Sequence, residues 1–207
     1  KNAFQSFFSV FVILSLISPI LTFINETSEK NPEVSLIDKS KLWKGSSYKP
    51  LTTGQTSTGG RNNYGRITSR HKGAGAKHKF RMIDFFRKKK DMSAEIERIE
   101  YDPNRTAFIA LIKYEDNTRS YILCPQGVNI GDKIYSGNKS EIKPGNNLEL
   151  KDIPPGTIIH CVELIPGNGG KLARSAGSSV VLSGYDDEYA IIKLSSGETR
   201  KVRGDCT

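Results

Sequence analysis

Apolar residues in the second half of the chain fall into short runs separated by Gly, Pro, Asn and Asp. "AEIERIEY" (94–101) and "TAFIALIKY" (106–114) are joined by "DPNR", where Pro103 presets a turn, and "RSYILCP" (119–125) follows after "EDNT". This spacing predicts a meander. Ile96 and Ile99 fall out of strict alternation in "EIERIEY", so a bulge or twist is expected near Arg98. "GDKIYSG" supplies a fourth strand. After a Pro/Gly-rich boundary at 142–156, "IKPGNNLELKDIPPG", come "TIIHCVEL", "SSVVLSGYD" and "YAIIKLSSGETRKV". Two small antiparallel barrels in series fit this pattern, since closure removes exposed strand edges. The expected fold class is all-β, with no long amphipathic helix.

The amino-terminal part is patterned differently. "FFSVFVILSLISPILTF" (7–23) is uncharged but only seventeen residues long and interrupted by Pro19, which is marginal for a membrane span. Residues 1–24 read as an apolar extension of unassigned role. Residues 25–60 are polar and rich in Ser, Thr and Gly, so they cannot bury enough surface to offset their ordering entropy unless a partner supplies the other face. An extended arm is expected, with Trp43 packing somewhere along it.

Charge changes this picture. Residues 61–90, "RNNYGRITSRHKGAGAKHKFRMIDFFRKKK", hold eleven Lys/Arg against one Asp, or 11 − 1 = +10, while the whole chain carries +9. The remainder is therefore at 9 − 10 = −1. Charge so localised attracts a polyanion and releases its counterions on contact. Nucleic acid leads, anionic membrane is the rival, and a solvated basic face or nuclear import signal is the bland alternative. A second basic loop, "GNGGKLARSAG" (167–177), places Lys171 and Arg174 where glycines let the backbone approach another surface. Two such loops favour a large shaped polyanion, and folded RNA is one.

The search for chemistry is negative. Neither "GAGAKH" nor "GNGGKLARS" satisfies the phosphate-loop spacing, so nucleotide hydrolysis is unsupported. His71, His78 and His160 lack metal-ligand spacing, and Cys124, Cys161 and Cys206 form no CxxC pair. Cys124 and Cys161 sit in apolar runs, where burial as small hydrophobes is expected, and His160 reads as structural. Glu100 and Asp102 read as ordinary turn residues. No catalytic constellation, metal site or small-molecule substrate is expected.

"GGRNNYGRITSRHKGAGAKHKFRMIDF", "IERIEYDPNRTAFIALIKY", "YILCPQG", "IKPGNNLELKDIPPGT" and "GGKLARSAG" occur in that order over roughly residues 42–206. Together they resemble the bacterial-type large-subunit ribosomal protein L-two family. "LWKG", with Trp43, and "EYDPNRTAFIALIKYED" are similar to its alphaproteobacterial branch, which implies a mitochondrial matrix ribosome. The resemblance implies an oligonucleotide-binding-type barrel followed by an SH3-like barrel, a long irregular basic arm, and binding to large-subunit rRNA alongside other large-subunit proteins. It implies no cofactor beyond Mg2+ carried by the rRNA. The expected domains are the extension 1–24, the arm 25–79, the first barrel 80–146 and the second 147–207.

Carried over by motif, the RNA contacts are Arg105 of YDPNR and Arg174 of LARSAG. Each follows a tight turn able to hold a fork-shaped guanidinium against RNA. The arm residues Arg61, Asn62, Asn63, Arg66, Arg70, His71, Lys77 and His78 would thread between rRNA helices, with Lys79, Arg81, Arg87 and Lys171 completing the basic set. The sequence ends at "GDCT", before the family's last barrel strands and its carboxy-terminal Gly- and His-rich region. An incomplete second barrel is thus expected, completed by a separate polypeptide carrying the carboxy-terminal half. A membrane-tethered basic adaptor for RNA or lipid is the alternative from another class, and a free RNA-modifying enzyme is the third.

Overall fold

The computed structural model describes residues 38–73, 75–137 and 140–207. The apolar extension at 1–24 and the start of the arm lie outside the described residues. The compact unit Lys41–Thr207 holds every candidate residue. Among the described residues the regular elements are β-strands and two short 3-10 turns, and no helix is long and apolar enough to cross a membrane.

The first sheet follows the meander expected from the pattern. Strands β3 (Ala94–Glu100), β4 (Ile109–Tyr114), β5 (Arg119–Leu123) and β6 (Lys133–Ile134) pair antiparallel in the order β5-β4-β3-β6. The β3–β4 register shifts between Ile96 and Arg98, which is where the broken alternation places a bulge. On one face of this sheet Ile96, Ala110, Ile112, Ile122 and Ile134 form a core. On the other, Ile109, Leu111 and Tyr121 are covered by Tyr48, Leu51 and Ile83. The continuous apolar run "IALI" in β4 is explained by this burial on both faces.

The cover for that second face comes from the arm. Strand β1 (Thr52–Gly54) pairs antiparallel with β2 (Lys79–Arg81), so residues 55–78 leave and return through one two-stranded ribbon. Upstream, the Trp43 N–H donates to the Ile99 carbonyl at 2.8 Å. The Tyr48 N–H donates to the Tyr121 hydroxyl at 2.8 Å, and that hydroxyl donates to the Glu100 carboxylate at 3.0 Å. Burial raises the Tyr121 hydroxyl pKa, which keeps it a donor. Arg98 pairs with the same carboxylate at 2.7 Å and stacks 4.8 Å from the Trp43 ring centroid. Glu100 is therefore a buried anchor for the arm's base rather than an ordinary turn residue.

The second sheet has the order β10-β9-β8-β7, from β7 (Ile158–Ile159), β8 (Val180–Asp186), β9 (Tyr189–Leu194) and β10 (Thr199–Arg203). Leu150, Val162, Val180, Leu182, Ala190, Ile192, Val202 and Cys206 form its core. The sequence from Leu148 onward contributes to it, so the chain enters this unit directly after the Pro/Gly-rich stretch begins.

Two expectations need correction here. "TIIHCVEL" is not one strand: pairing stops after Ile159, Cys161 turns left-handed at φ 56°, and Val162 bridges to Leu172 instead. His160, beside that kink, is exposed in part, and packing around its imidazole lowers its pKa by desolvation. Cys124 and Cys161 are half-buried, whereas Cys206 is buried in the second core. Burial pushes all three thiols above their ordinary range, so none is primed as a nucleophile.

Candidate nucleic-acid interface

The loop between β1 and β2 carries most of the predicted arm residues. Its first part is a closed hairpin, because Asn62 folds back on its own backbone. The Asn62 side-chain carbonyl accepts from the N–H groups of Tyr64 and Arg66, each at 3.0 Å. The Asn62 N–H donates to the Arg66 carbonyl, Gly65 N–H donates to the Asn62 carbonyl, and Arg61 bridges to Ile67. At the base the Gly60 carbonyl accepts from both Thr68 N–H and Ser69 N–H. Gly60 has φ +74°, and a Cβ there would lie 2.1 Å from the Ser69 carbonyl oxygen, so the turn requires glycine.

Arg61, Asn63, Arg66, Arg70, His71, Lys77, His78 and Lys79 are exposed, and Asn62 is half-buried by its turn-forming role. Residues 39–83 contain no Asp or Glu. The exposed cations of the 55–78 loop thus have no acid of that loop among them, as a surface for a polyanion requires.

Arg105 is positioned by a second device. Asp102 is fully buried, and its carboxylate accepts from Arg105 Nε at 2.6 Å, from Asn104 N–H at 3.0 Å and from Asn104 Nδ2 at 3.1 Å. Asn104 Nδ2 also donates to the Lys79 carbonyl at 2.8 Å, which ties the YDPNR turn to β2. Arg81 approaches the same Asp102 at 3.7 Å, and its Nη1 donates to the Lys79 carbonyl. Asp102 therefore orients two arginines whose side chains remain 18% and 13% exposed, a role its place in a turn did not reveal.

The Gly-rich loop is held by another buried acid. Glu163 accepts from Gly169 N–H at 2.8 Å and from Gly167 N–H at 3.2 Å. Its folded loop brings Arg174 back so that Nε donates to the Gly170 carbonyl at 2.6 Å, and Nη2 donates to the same oxygen. Gly170 packs against Cys161, where a Cβ would sit 2.2 Å from the Cys161 carbonyl oxygen. Lys171 is exposed on the same loop.

Arg105 and Arg174, far apart in sequence, converge on one aromatic ring. The Arg174 guanidinium lies 3.9 Å from the Phe85 ring centroid and that of Arg105 lies 6.0 Å from it. The Gly170 N–H donates to the Phe85 carbonyl at 3.0 Å, and Ala176 N–H donates to Thr106 Oγ1 at 3.1 Å. Two loops from two sheets are thereby fastened side by side with a guanidinium on each. Phe85 was not singled out from sequence, although an apolar "FF" pair inside the basic window is its signal.

Arg87 does not join this surface. It adopts φ 48°, its Nε donates to Ser136 Oγ at 3.2 Å and its Nη2 donates to the Gly145 carbonyl at 2.7 Å. Desolvation lowers its pKa. It clips the segment after β2 to the end of the first sheet, because a half-buried guanidinium must satisfy its donors internally. Among the described residues no group of His, Cys, Asp and Glu is arranged to hold a metal ion.

Comparison with known proteins agrees with this geometry. Residues 48–136 match the family model of Ribosomal Proteins L2, RNA binding N-terminal domain, and residues 143–207 match that of Ribosomal Proteins L2, C-terminal domain. The large ribosomal subunit protein uL2 of Granulibacter bethesdensis is 59% identical over 171 residues, covering 83% of this chain and 62% of that protein. That of Novosphingobium aromaticivorans is 54% identical over 182 residues, covering 88% of this chain and 66% of its own length. That of Paracoccus denitrificans is 59% identical over 171 residues, covering 83% and 61%. The chain thus spans a little under two thirds of the length of these relatives. With both domain models matched in order and alphaproteobacterial relatives above half identity, the chain belongs to the uL2 family of large-ribosomal-subunit proteins.

Proposed function

We propose that this chain is a structural constituent of the large ribosomal subunit that binds and stabilises large-subunit rRNA, with no catalytic step of its own. The observation that carries this reading is the meeting of Arg105 and Arg174 on Phe85, beside a stretch of the arm, residues 39–79, with no acidic residue. Each guanidinium has its Nε engaged by the protein, by Asp102 and by the Gly170 carbonyl respectively. That fixes direction; Arg174 Nη2 is held by the same Gly170 carbonyl, so Nη1 of Arg174 and the two terminal nitrogens of Arg105 are the donors offered to phosphate oxygens. The arm supplies further cations for phosphates of neighbouring RNA helices. The exposed members Arg61, Asn63, Arg66, Arg70, His71, Lys77, His78, Lys79 and Lys171 are its contact set, while Asn62 and Arg81 hold local backbone in place. The work of the site is charge neutralisation in a fixed shape, so Mg2+ enters only as a companion of the RNA.

The reading extends to a mitochondrial ribosome, supported by the alphaproteobacterial character of the relatives. It also extends to a separate polypeptide carrying the family's carboxy-terminal half. Support for that partner is the open geometry of the second sheet, where β10 is an edge strand to which another strand can add. Binding of the full chain to a large-subunit rRNA transcript, with Arg105→Ala and Arg174→Ala compared against the parent chain, tests the RNA reading. Unchanged affinity in both variants would refute the site. High-salt sedimentation of organelle lysate followed by mass spectrometry tests the rest. The chain should travel with large subunits together with a peptide continuing the family's sequence; recovery with membranes would favour a tethered adaptor.

A further inference from the structure

We propose that the Gly60–Ser69 hairpin is a base-stacking finger, in which the Tyr64 ring packs on an unpaired nucleobase while Arg61 and Arg66 engage the adjoining phosphates. The inference rests on the rRNA-binding reading and deepens it, since it assigns base contact to a region otherwise understood through charge alone.

Tyr64 is 83% exposed, the most exposed of the large apolar side chains among the described residues. Two other exposed aromatics have company within the chain: Trp43 stacks with Arg98, and Phe86 lies under Lys88 at 5.1 Å. The Tyr64 side chain has no hydrogen bond, ion pair or ring contact to another described residue. An aromatic body fully presented to water is unfavourable unless another surface covers it.

The backbone beneath it is nevertheless fixed. Tyr64 N–H and Arg66 N–H both end on the Asn62 side chain, Gly65 turns at φ +77°, and the Arg61–Ile67 bridge closes the hairpin. A ring on a pre-organised tip loses little freedom on binding, because only its two side-chain torsions need settle. The flanking exposed residues are Asn63 and Arg66, with no acid anywhere from 39 to 83 to repel a phosphate. Aromatic surface interleaved with arginine on a protruding tip suits single-stranded or bulged RNA, where a base has left its helix and offers a free π-face. A helical phosphate ladder would need only the cations.

The test uses the full chain and a full-length transcript of the Paracoccus denitrificans large-subunit rRNA, with affinity read by filter binding across a salt series. Tyr64→Ala is expected to weaken binding by about five- to a hundredfold, the range of one lost base stack. Tyr64→Leu should lose nearly as much and Tyr64→Phe should stay within about twofold, since the π-face matters more than the hydroxyl. The salt slope should stay at the parent value, whereas Arg66→Ala should reduce it by about one. In a Trp43→Phe background, Tyr64→Trp should lose its indole fluorescence on binding. Tyr64→Ala binding as tightly as the parent, in a preparation where Arg105→Ala binds more weakly, would overturn the stacking finger and leave the RNA reading standing. Tyr64→Leu matching Tyr64→Phe would also overturn it, by showing an apolar rather than a stacked contact. Failure of the parent chain to bind would remove the RNA reading and this inference together.

Discussion

Asp102→Asn separates two explanations of Arg105 that otherwise look alike. The substitution preserves volume but removes a fully buried negative charge that accepts from Arg105 Nε at 2.6 Å and from two Asn104 donors, with Arg81 at 3.7 Å. The new amide can still accept, yet it presents donors to a guanidinium that also donates. Breaking a fully buried pair costs about 3–5 kcal/mol. The arginine side chains here are 18% and 13% exposed, so water screens part of the loss, and about 2–4 kcal/mol is expected. For a folded unit of this size that corresponds to a Tm lower by roughly 4–16 °C, read by circular dichroism. Affinity for a large-subunit rRNA transcript, measured well below both Tm values, decides the mechanism. If Asp102 only screens the arginines, the variant gains one positive charge and binds RNA more tightly. If Asp102 holds Arg105 in the direction a phosphate needs, the variant binds more weakly despite that extra charge. Tighter binding with an unchanged Tm would refute the positioning argument outright.

Other perturbations probe the same assembly. Arg105→Ala and Arg174→Ala should each weaken transcript binding by about 1–3 kcal/mol, and the double variant should lose less than the sum because both guanidinia share Phe85. Phe85→Leu should weaken binding by about 0.5–2 kcal/mol without altering the salt slope, since it removes the stacking surface and no charge. Gly170→Ala should lower stability by about 1–3 kcal/mol in thermal unfolding, because its Cβ would meet the Cys161 carbonyl oxygen at 2.2 Å and backbone must shift. Glu100→Gln should loosen the arm's base, seen as faster limited proteolysis near residues 43–51, while the sheets stay folded; protection equal to the parent would argue against the Tyr48–Tyr121–Glu100 chain as the anchor.

The strands were legible because period-two alternation and turn residues are local signals. The bulge at Ile96–Arg98 is visible as a broken alternation, whereas the burial of β4 on both faces emerges only in the fold. What covers the second face is not local. Tyr48 and Leu51 sit in a polar stretch that reads as an arm, and only contact with Ile109, Leu111 and Tyr121 shows that its base belongs to the first unit. "TIIHCVEL" failed for the opposite reason: its apolar run suggests a strand, but the approach of Gly170 to Cys161 turns the chain there. Arg105 and Arg174 were legible as motif residues and Phe85 was not, since convergence of two loops on one ring is a property of the tertiary fold.

The buried acids explain why a strongly basic surface can also be an ordered one. Arginines crowded together repel, and long side chains on loops would ordinarily sample many directions. Glu100, Asp102 and Glu163 lie beneath the surface, where each accepts several donors and none is offered to a partner. Asp102 and Glu100 each take the Nε of an arginine, and Glu163 takes the backbone of the loop that carries Arg174. Negative charge is thereby confined to the inner ends of the cationic groups. Residues 39–79 of the arm contain no acid, and the hairpin there uses Asn62 and Gly60 for the same ordering purpose. Position is set by buried carboxylates where the fold can bury them, and by neutral side-chain amides where it cannot.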